Sequence, residues 1–130
     1  MKLRIKGNTI RIRLTKPEVE YFGKEGFIEE KTDFGENVFT YTLKTTERGE
    51  QLSAEFSNGT ITMFIPKPLA EEWTNSEKVG YESEMATKSG KKLFLLLEKD
   101  YKCLDTIAED QSDNYENPLV IKNKNLLNAR

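Results

Sequence analysis

A mostly β, α+β fold is predicted: eight strands and two short helices, arranged as two ββαββ units about a pseudo-twofold axis and closed into an antiparallel barrel. Three observations predict it. Apolar and polar residues alternate over short runs, which is strand periodicity. Turn residues punctuate those runs. Residues 1–44 also match residues 52–98 weakly, as an internal repeat does. With a shift of 51, Thr9-Ile10 meets Thr60-Ile61, Lys16-Pro17 meets Lys67-Pro68, and Phe22 meets Trp73. With a shift of 54, Gly26-Phe27 meets Gly80-Tyr81, Glu30 meets Glu84, and Leu43 meets Leu97.

The elements follow in order. Leu3 and Ile5 alternate with Lys2, Arg4 and Lys6, and Gly7-Asn8 turns the chain. Ile10, Ile12 and Leu14 then alternate with Arg11 and Arg13. Thr15 is placed to cap a helix, with Glu18 three residues on completing a capping box and Pro17 in the first turn. Leu14 and Val19 fit a hydrophobic staple, and Gly23 is placed to end the helix. Strands at 27–31 and 38–43 flank a turn at Gly35. In the second half, strands at 52–56 and 61–65 flank Asn58-Gly59, the strongest short hairpin signal. A short helix at 66–73 precedes strands at 79–84 and 93–97 around Ser89-Gly90. Residues 1–98 thus form one domain, and residues 99–130 are an extension.

The segment Ile61-Thr-Met-Phe-Ile-Pro-Lys-Pro-Leu-Ala-Glu-Glu-Trp, followed by Val79-Gly-Tyr-Glu, resembles the AbrB/MazE-like transcription-factor and antitoxin domain. Lys6-Gly7-Asn8-Thr9 before Ile10-Arg11-Ile12-Arg13 resembles the same domain at its other end. Leu14-Thr15 departs from the Ile-Pro of that family. The resemblance implies two units interleaving hairpins into one barrel, here within a single chain. It also implies DNA contact at or near Arg4, Lys6, Arg11 and Arg13. The complete chain is similar to an uncharacterised family of short bacterial proteins carrying an Asp-Asn-Tyr/Phe-x-Asn-Pro segment, here Asp113 to Pro118.

Composition narrows the chemistry. The 130 residues are 36% hydrophobic and 32% charged, enough for one modest core. There is no histidine, which removes His-based triads, metal sites and acid–base catalysis. The single Cys103 removes an intramolecular disulfide and a Cys-based zinc site, so a reducing cytoplasm is the expected location. No apolar run of 18 residues is present to cross a membrane. The acidic stretch from Glu109 to Asn117 lacks the glycine and closing glutamate of a calcium loop. Glu82 and Glu84 share a strand face, but the expected barrel interior is apolar, so no catalysis and no cofactor are expected.

Charge is uneven: residues 1–24 carry net +5, and residues 98–118 carry net −5. Lys2, Arg4, Lys6, Arg11 and Arg13 fall on one face of the first hairpin, a candidate nucleic-acid or anion site. The equivalent positions in the second half are Ser53, Glu55, Ser57, Thr62 and Phe64. Phe64, Phe94 and Leu96 point outward and form a candidate interaction patch. Residues 99–121 are rich in apolar residues and are expected to fold back over that patch. The leading expectation is a non-catalytic binding module with an unidentified protein or anionic partner, as a monomer or homodimer. The alternative is a DNA-binding or antitoxin-like regulator acting through the basic hairpin.

Overall fold

The computed structural model describes residues 1–101 and Tyr115. The described chain is mostly β with two short helices: β1 (Lys2–Lys6), β2 (Thr9–Leu14), α1 (Lys16–Glu25), β3 (Phe27–Asp33), β4 (Val38–Thr46), β5 (Ser53–Ser57), β6 (Thr60–Pro66), α2 (Lys67–Thr74), β7 (Gly80–Ala86) and β8 (Lys92–Lys99). Local chemistry explains most boundaries. The Thr15 N–H donates to Glu18 Oε1 at 2.8 Å, the backbone half of a capping box. Asn58 and Gly59 adopt φ of 52° and 72°, as a tight hairpin turn needs. Gly23 does not end α1. The helix continues to Glu25, and Gly26 terminates it in the left-handed conformation, its N–H bonding Phe22 O. Gly23 instead lies where a side chain would press on Thr74 of α2, its notional Cβ 3.3 Å from Thr74 Cβ.

The strands form two four-stranded sheets, sheet I in the order β1-β2-β8-β7 and sheet II in the order β3-β4-β6-β5. The expected closed barrel is not formed. Nor is the pairing antiparallel throughout: the central pairs β2·β8 and β4·β6 are parallel. Each sheet joins a hairpin from one half of the chain to a hairpin from the other, which brings two strands of like direction together. The edges that a barrel would join by a backbone ladder are bridged by side chains instead. Ser83 Oγ donates to Leu52 O at 2.9 Å, and the Ala54 N–H donates to Met85 Sδ at 3.4 Å. Tyr41 OH donates to Glu30 Oε2 at 2.6 Å within sheet II, and its oxygen lies 3.2 Å from Met1 O, just ahead of β1.

Registers in the two sheets correspond. Lys2 pairs with Arg13, and Ser53 pairs with Phe64, each 51 residues further on. Thr9 pairs with Phe94, and Thr60 pairs with Thr40, which are offset by 51 and 54. Two sequence matches shift by a residue, since Glu30 corresponds to Ser83 rather than to Glu84. Phe27 pairs with Lys44 and Gly80 pairs with Glu98, so Phe27 corresponds to Gly80 rather than to Tyr81. Burial agrees, since Ile28 and Tyr81 both face the interior side of their strands.

The core lies between the sheets and under the helices. Ile12, Leu14, Leu43, Met63, Ile65, Leu95 and Leu97 are fully buried. Phe22 of α1 and Trp73 of α2 meet edge to face, with ring centroids 6.2 Å apart. The Trp73 Nε1–H donates to Val79 O at 3.0 Å, which satisfies its polar atom inside the core.

Candidate interaction face

The register of sheet I gathers its outward side chains into rows. Lys2, Arg13, Glu98 and Gly80 form the first; Arg4, Arg11, Leu96 and Glu82 the second; Lys6, Thr9, Phe94 and Glu84 the third. Reading across the strands, the face runs from basic on β1 and β2, through apolar on β8, to acidic on β7. All five sequence-predicted bases therefore share one face. Phe94 and Leu96 lie beside them, Phe94 at 45% exposure and Leu96 half-buried.

Phe64 is not part of this patch. It belongs to β6 of sheet II, between Lys44 and Ser53, so the three predicted apolar residues are divided between the sheets. The division follows from hairpin exchange: β6 and β8 belong to the same half of the sequence but enter different sheets. The expected covering of Phe64, Phe94 and Leu96 by residues 99–121 concerns residues beyond Tyr101 that, apart from Tyr115, lie outside the described ones.

Part of the basic charge is answered from within the chain. Arg11 Nε lies 2.9 Å from Glu98 Oε1, and Lys2 Nζ lies 3.0 Å from Asp100 Oδ2. Across the face, Lys92 Nζ lies 2.8 Å from Glu84 Oε1, and that hydrogen bond raises the Lys92 amine above its ordinary pKa. Lys2–Asp100 and Lys92–Glu84 each have an exposed partner and contribute little to stability, whereas the Arg11 and Glu98 side chains are only 25% and 26% exposed and hold each other. The sequence alone shows a basic start and an acidic late segment. Which acid meets which base depends on the β2·β8 pairing, which joins residues about eighty positions apart. The placement of Glu82 and Glu84 on the same face was missed for the same reason. The signal that points to it is the interleaved-hairpin arrangement implied by the domain resemblance.

A second polar cluster lies between the edges of β1 and β3. The N-terminal ammonium pairs with Glu18 Oε2 and lies 3.2 Å from Glu30 Oε1. Burial would raise the Glu18 carboxyl, but hydrogen bonds from the ammonium and from Thr15 outweigh it and hold the pKa below the usual value. Burial, then the hydrogen bond to Glu30, pushes Tyr41 up to about 12. Every polar group here has a partner within the cluster, which reads as a clamp between the sheets. A groove of about 620 Å³ runs between α1 and the end of β8, with Lys16, Glu20, Lys99 and Asp100 among its lining residues. Its charges alternate in sign, and Lys99 Nζ is already bonded to Ser76 O at 2.5 Å. Among the described residues, no three His, Cys, Asp or Glu side chains converge as metal ligands would. No helix among them is long and apolar enough to cross a membrane.

No curated protein and no solved structure matches the chain. A family model does match, over residues 1–119, which takes in both sheets and both helices and runs past the described strands. The chain that builds this three-zone face belongs to the family of unknown function DUF7009.

Proposed function

We propose that this protein is a non-catalytic binding module and that the outer face of sheet I receives an acidic, partly apolar polypeptide. The observation that carries the reading is the cross-strand order of that face: five bases on β1 and β2, directly beside Phe94 and Leu96 on β8. The bases attract an anionic segment, and the apolar ridge supplies burial that charge alone does not. Glu82 and Glu84 bound the ridge on its far side and repel a uniformly anionic ligand there. That favours a polypeptide, which can vary its charge along its length, over a duplex with phosphate along both edges. The lone Cys103 suits a reducing cytoplasm.

The same reading treats the chain as a duplicated ββαββ unit whose hairpins interleave, as in the AbrB/MazE-like domain it resembles. The matched registers of the two sheets and the meeting of Phe22 with Trp73 support it. In that domain a dimer offers its basic surface twice. Here the second surface carries Ser53, Glu55 and Ser57, which suits a single-faced module.

Fluorescence anisotropy tests the proposal with two probes, a labelled peptide alternating Glu and Leu and a labelled duplex DNA, at about 50 mM salt. The expected result is peptide binding that weakens about tenfold in the Arg11→Ala/Arg13→Ala variant. No peptide binding, or binding indifferent to that variant, overturns the reading. Duplex binding with a steep salt dependence that the same variant abolishes replaces it with a DNA-binding regulator.

A further inference from the structure

We infer that the partner of the outer face of sheet I is a second copy of this chain, packed face to face about a twofold axis parallel to the strands. This rests on the reading of that face as a binding surface and names the polypeptide that it takes. In an isologous dimer the same patch serves both copies, so the patch must complement itself. The face does so in one orientation. An axis across the strands sets β1 on β1 of the second copy and β7 on β7, bases on bases and acids on acids. An axis along the strands, over the junction of β2 and β8, sets β1 on β7 and β2 on β8. The rows then meet row by row. Arg4 stands over Glu82 of the second copy, Lys6 over Glu84 and Arg13 over Glu98, and symmetry makes each pairing twice. The two Phe94–Leu96 ridges run side by side along the axis. Sheets aligned in this way pack about 10 Å apart at about 30°, a gap that long charged side chains span.

Arg4, Lys6, Glu82, Glu84 and Phe94 are all exposed, so the groups that this packing uses lie open to contact. The outer face of sheet II lacks the same property. The corresponding axis there sets β3 on β5 and so Glu29 on Glu55, like on like. Opposite charges fix the register of the sheet I pair, and the ridge supplies apolar burial. Four strands of five to eight residues give a face roughly 20 Å square, at ~4.8 Å between strands and ~3.4 Å per residue. That area falls among the small, transient interfaces, so the dimer is reversible, with a Kd of about micromolar order.

Analytical ultracentrifugation of the full chain, over concentrations up to about 1 mM, tests the inference. The parent is expected to dimerise reversibly, more weakly as salt is added. Glu82→Lys/Glu84→Lys should weaken the dimer at least about tenfold, and Arg4→Glu/Lys6→Glu should do the same. Mixed in equal amounts, the two variants should pair with each other about as tightly as the parent pairs with itself, because each offers the charge that the other has lost. That recovery is a result that misfolding does not produce, and the near-ultraviolet dichroism of buried Trp73 reports that each variant is folded. A parent that stays monomeric, a dimer that neither reversal weakens, or variants that fail to pair when mixed overturns the inference. A monomeric parent that still binds the Glu/Leu peptide through Arg11 and Arg13 removes the dimer and keeps the proposed function. Recovered pairing without peptide binding keeps the dimer and removes the acidic peptide as ligand.

Discussion

Sheets I and II place residues at matching registers and then diverge on their outer faces. Where β1 has Lys2, Arg4 and Lys6, β5 has Ser53, Glu55 and Ser57. Where β8 has Phe94 and Leu96, β4 has Thr40 and Thr42, both buried although they face outward. On the inner faces the two sheets agree: Ile12 and Leu14 answer Met63 and Ile65, and Leu97 answers Leu43, all fully buried. Inner positions are held by packing, where a change of one methylene is felt. Exposed outer positions are held by solubility and by whatever binds there, and Thr40 and Thr42 are buried exceptions. The comparison teaches that one topology supports a face zoned from basic through apolar to acidic and a face whose central threonines are flanked by Glu29, Lys31, Lys44 and Glu55.

The most disruptive way to test the shared framework is to remove its two aromatic anchors. Phe22→Ala and Trp73→Ala should each cost about 3–5 kcal/mol in denaturant unfolding, with Trp73 the costlier because its N–H bond to Val79 O is lost too. A cost below about 1 kcal/mol for either would place that ring outside the common core.

Gly80 and Phe27 occupy matching places in the two sheets but not matching spaces. A Cβ on Gly80 would lie 1.8 Å from the Leu97 carbonyl oxygen, whereas Phe27 is 44% exposed. Gly80→Ala should therefore cost at least about 1–3 kcal/mol, and Phe27→Ala less than about 1 kcal/mol. Equal losses in thermal melts would show that β3 and β7 are held alike.

The two seams between the sheets differ in chemistry, which pH separates. Tyr41 ionises near 12 in the folded chain against 10 for a free tyrosine, so its neutral form is favoured by folding. That contribution is complete below pH 10 and is lost as pH rises from 10 through 12. Tyr41→Phe should flatten the alkaline fall in melting temperature, whereas Ser83→Ala, in the other seam, should lower stability by about 1 kcal/mol at every pH. Parallel pH profiles for parent and Tyr41→Phe would remove Tyr41 from the clamp.

Smallest of all should be the stability effects on the outer face of sheet I. Lys6→Ala and Phe94→Ala, both at exposed positions, are each expected to cost below about 1 kcal/mol. Both should nevertheless weaken peptide binding. A large loss of stability from Phe94→Ala would assign that ring to packing rather than to recognition.

Element existence was legible locally. The alternation of Lys2 to Lys6, the Asn58-Gly59 turn and the Thr15–Glu18 box act within a few residues, and the structure has strands, hairpin and helix there. The end of α1 was misplaced because Gly23 answers a tertiary need, the approach of Thr74, while Gly26 does the capping. The five bases were legible as one face because they lie on a single hairpin with a fixed two-residue period. The supposed unity of Phe64, Phe94 and Leu96 failed because outward direction is a local property and sheet membership is not.

By itself, the sequence determined the strands, turns, helix starts and inward apolar positions, since backbone propensity and side-chain period operate over short distances. Only the tertiary structure decided that the central pairs run parallel, that the sheets stay unclosed, and that Arg11 meets Glu98 beside Leu96. Those outcomes depend on pairing residues far apart in the chain. Several pairings satisfy the same local pattern, and the burial of Phe22 against Trp73 with the apolar layer beneath them selects among them.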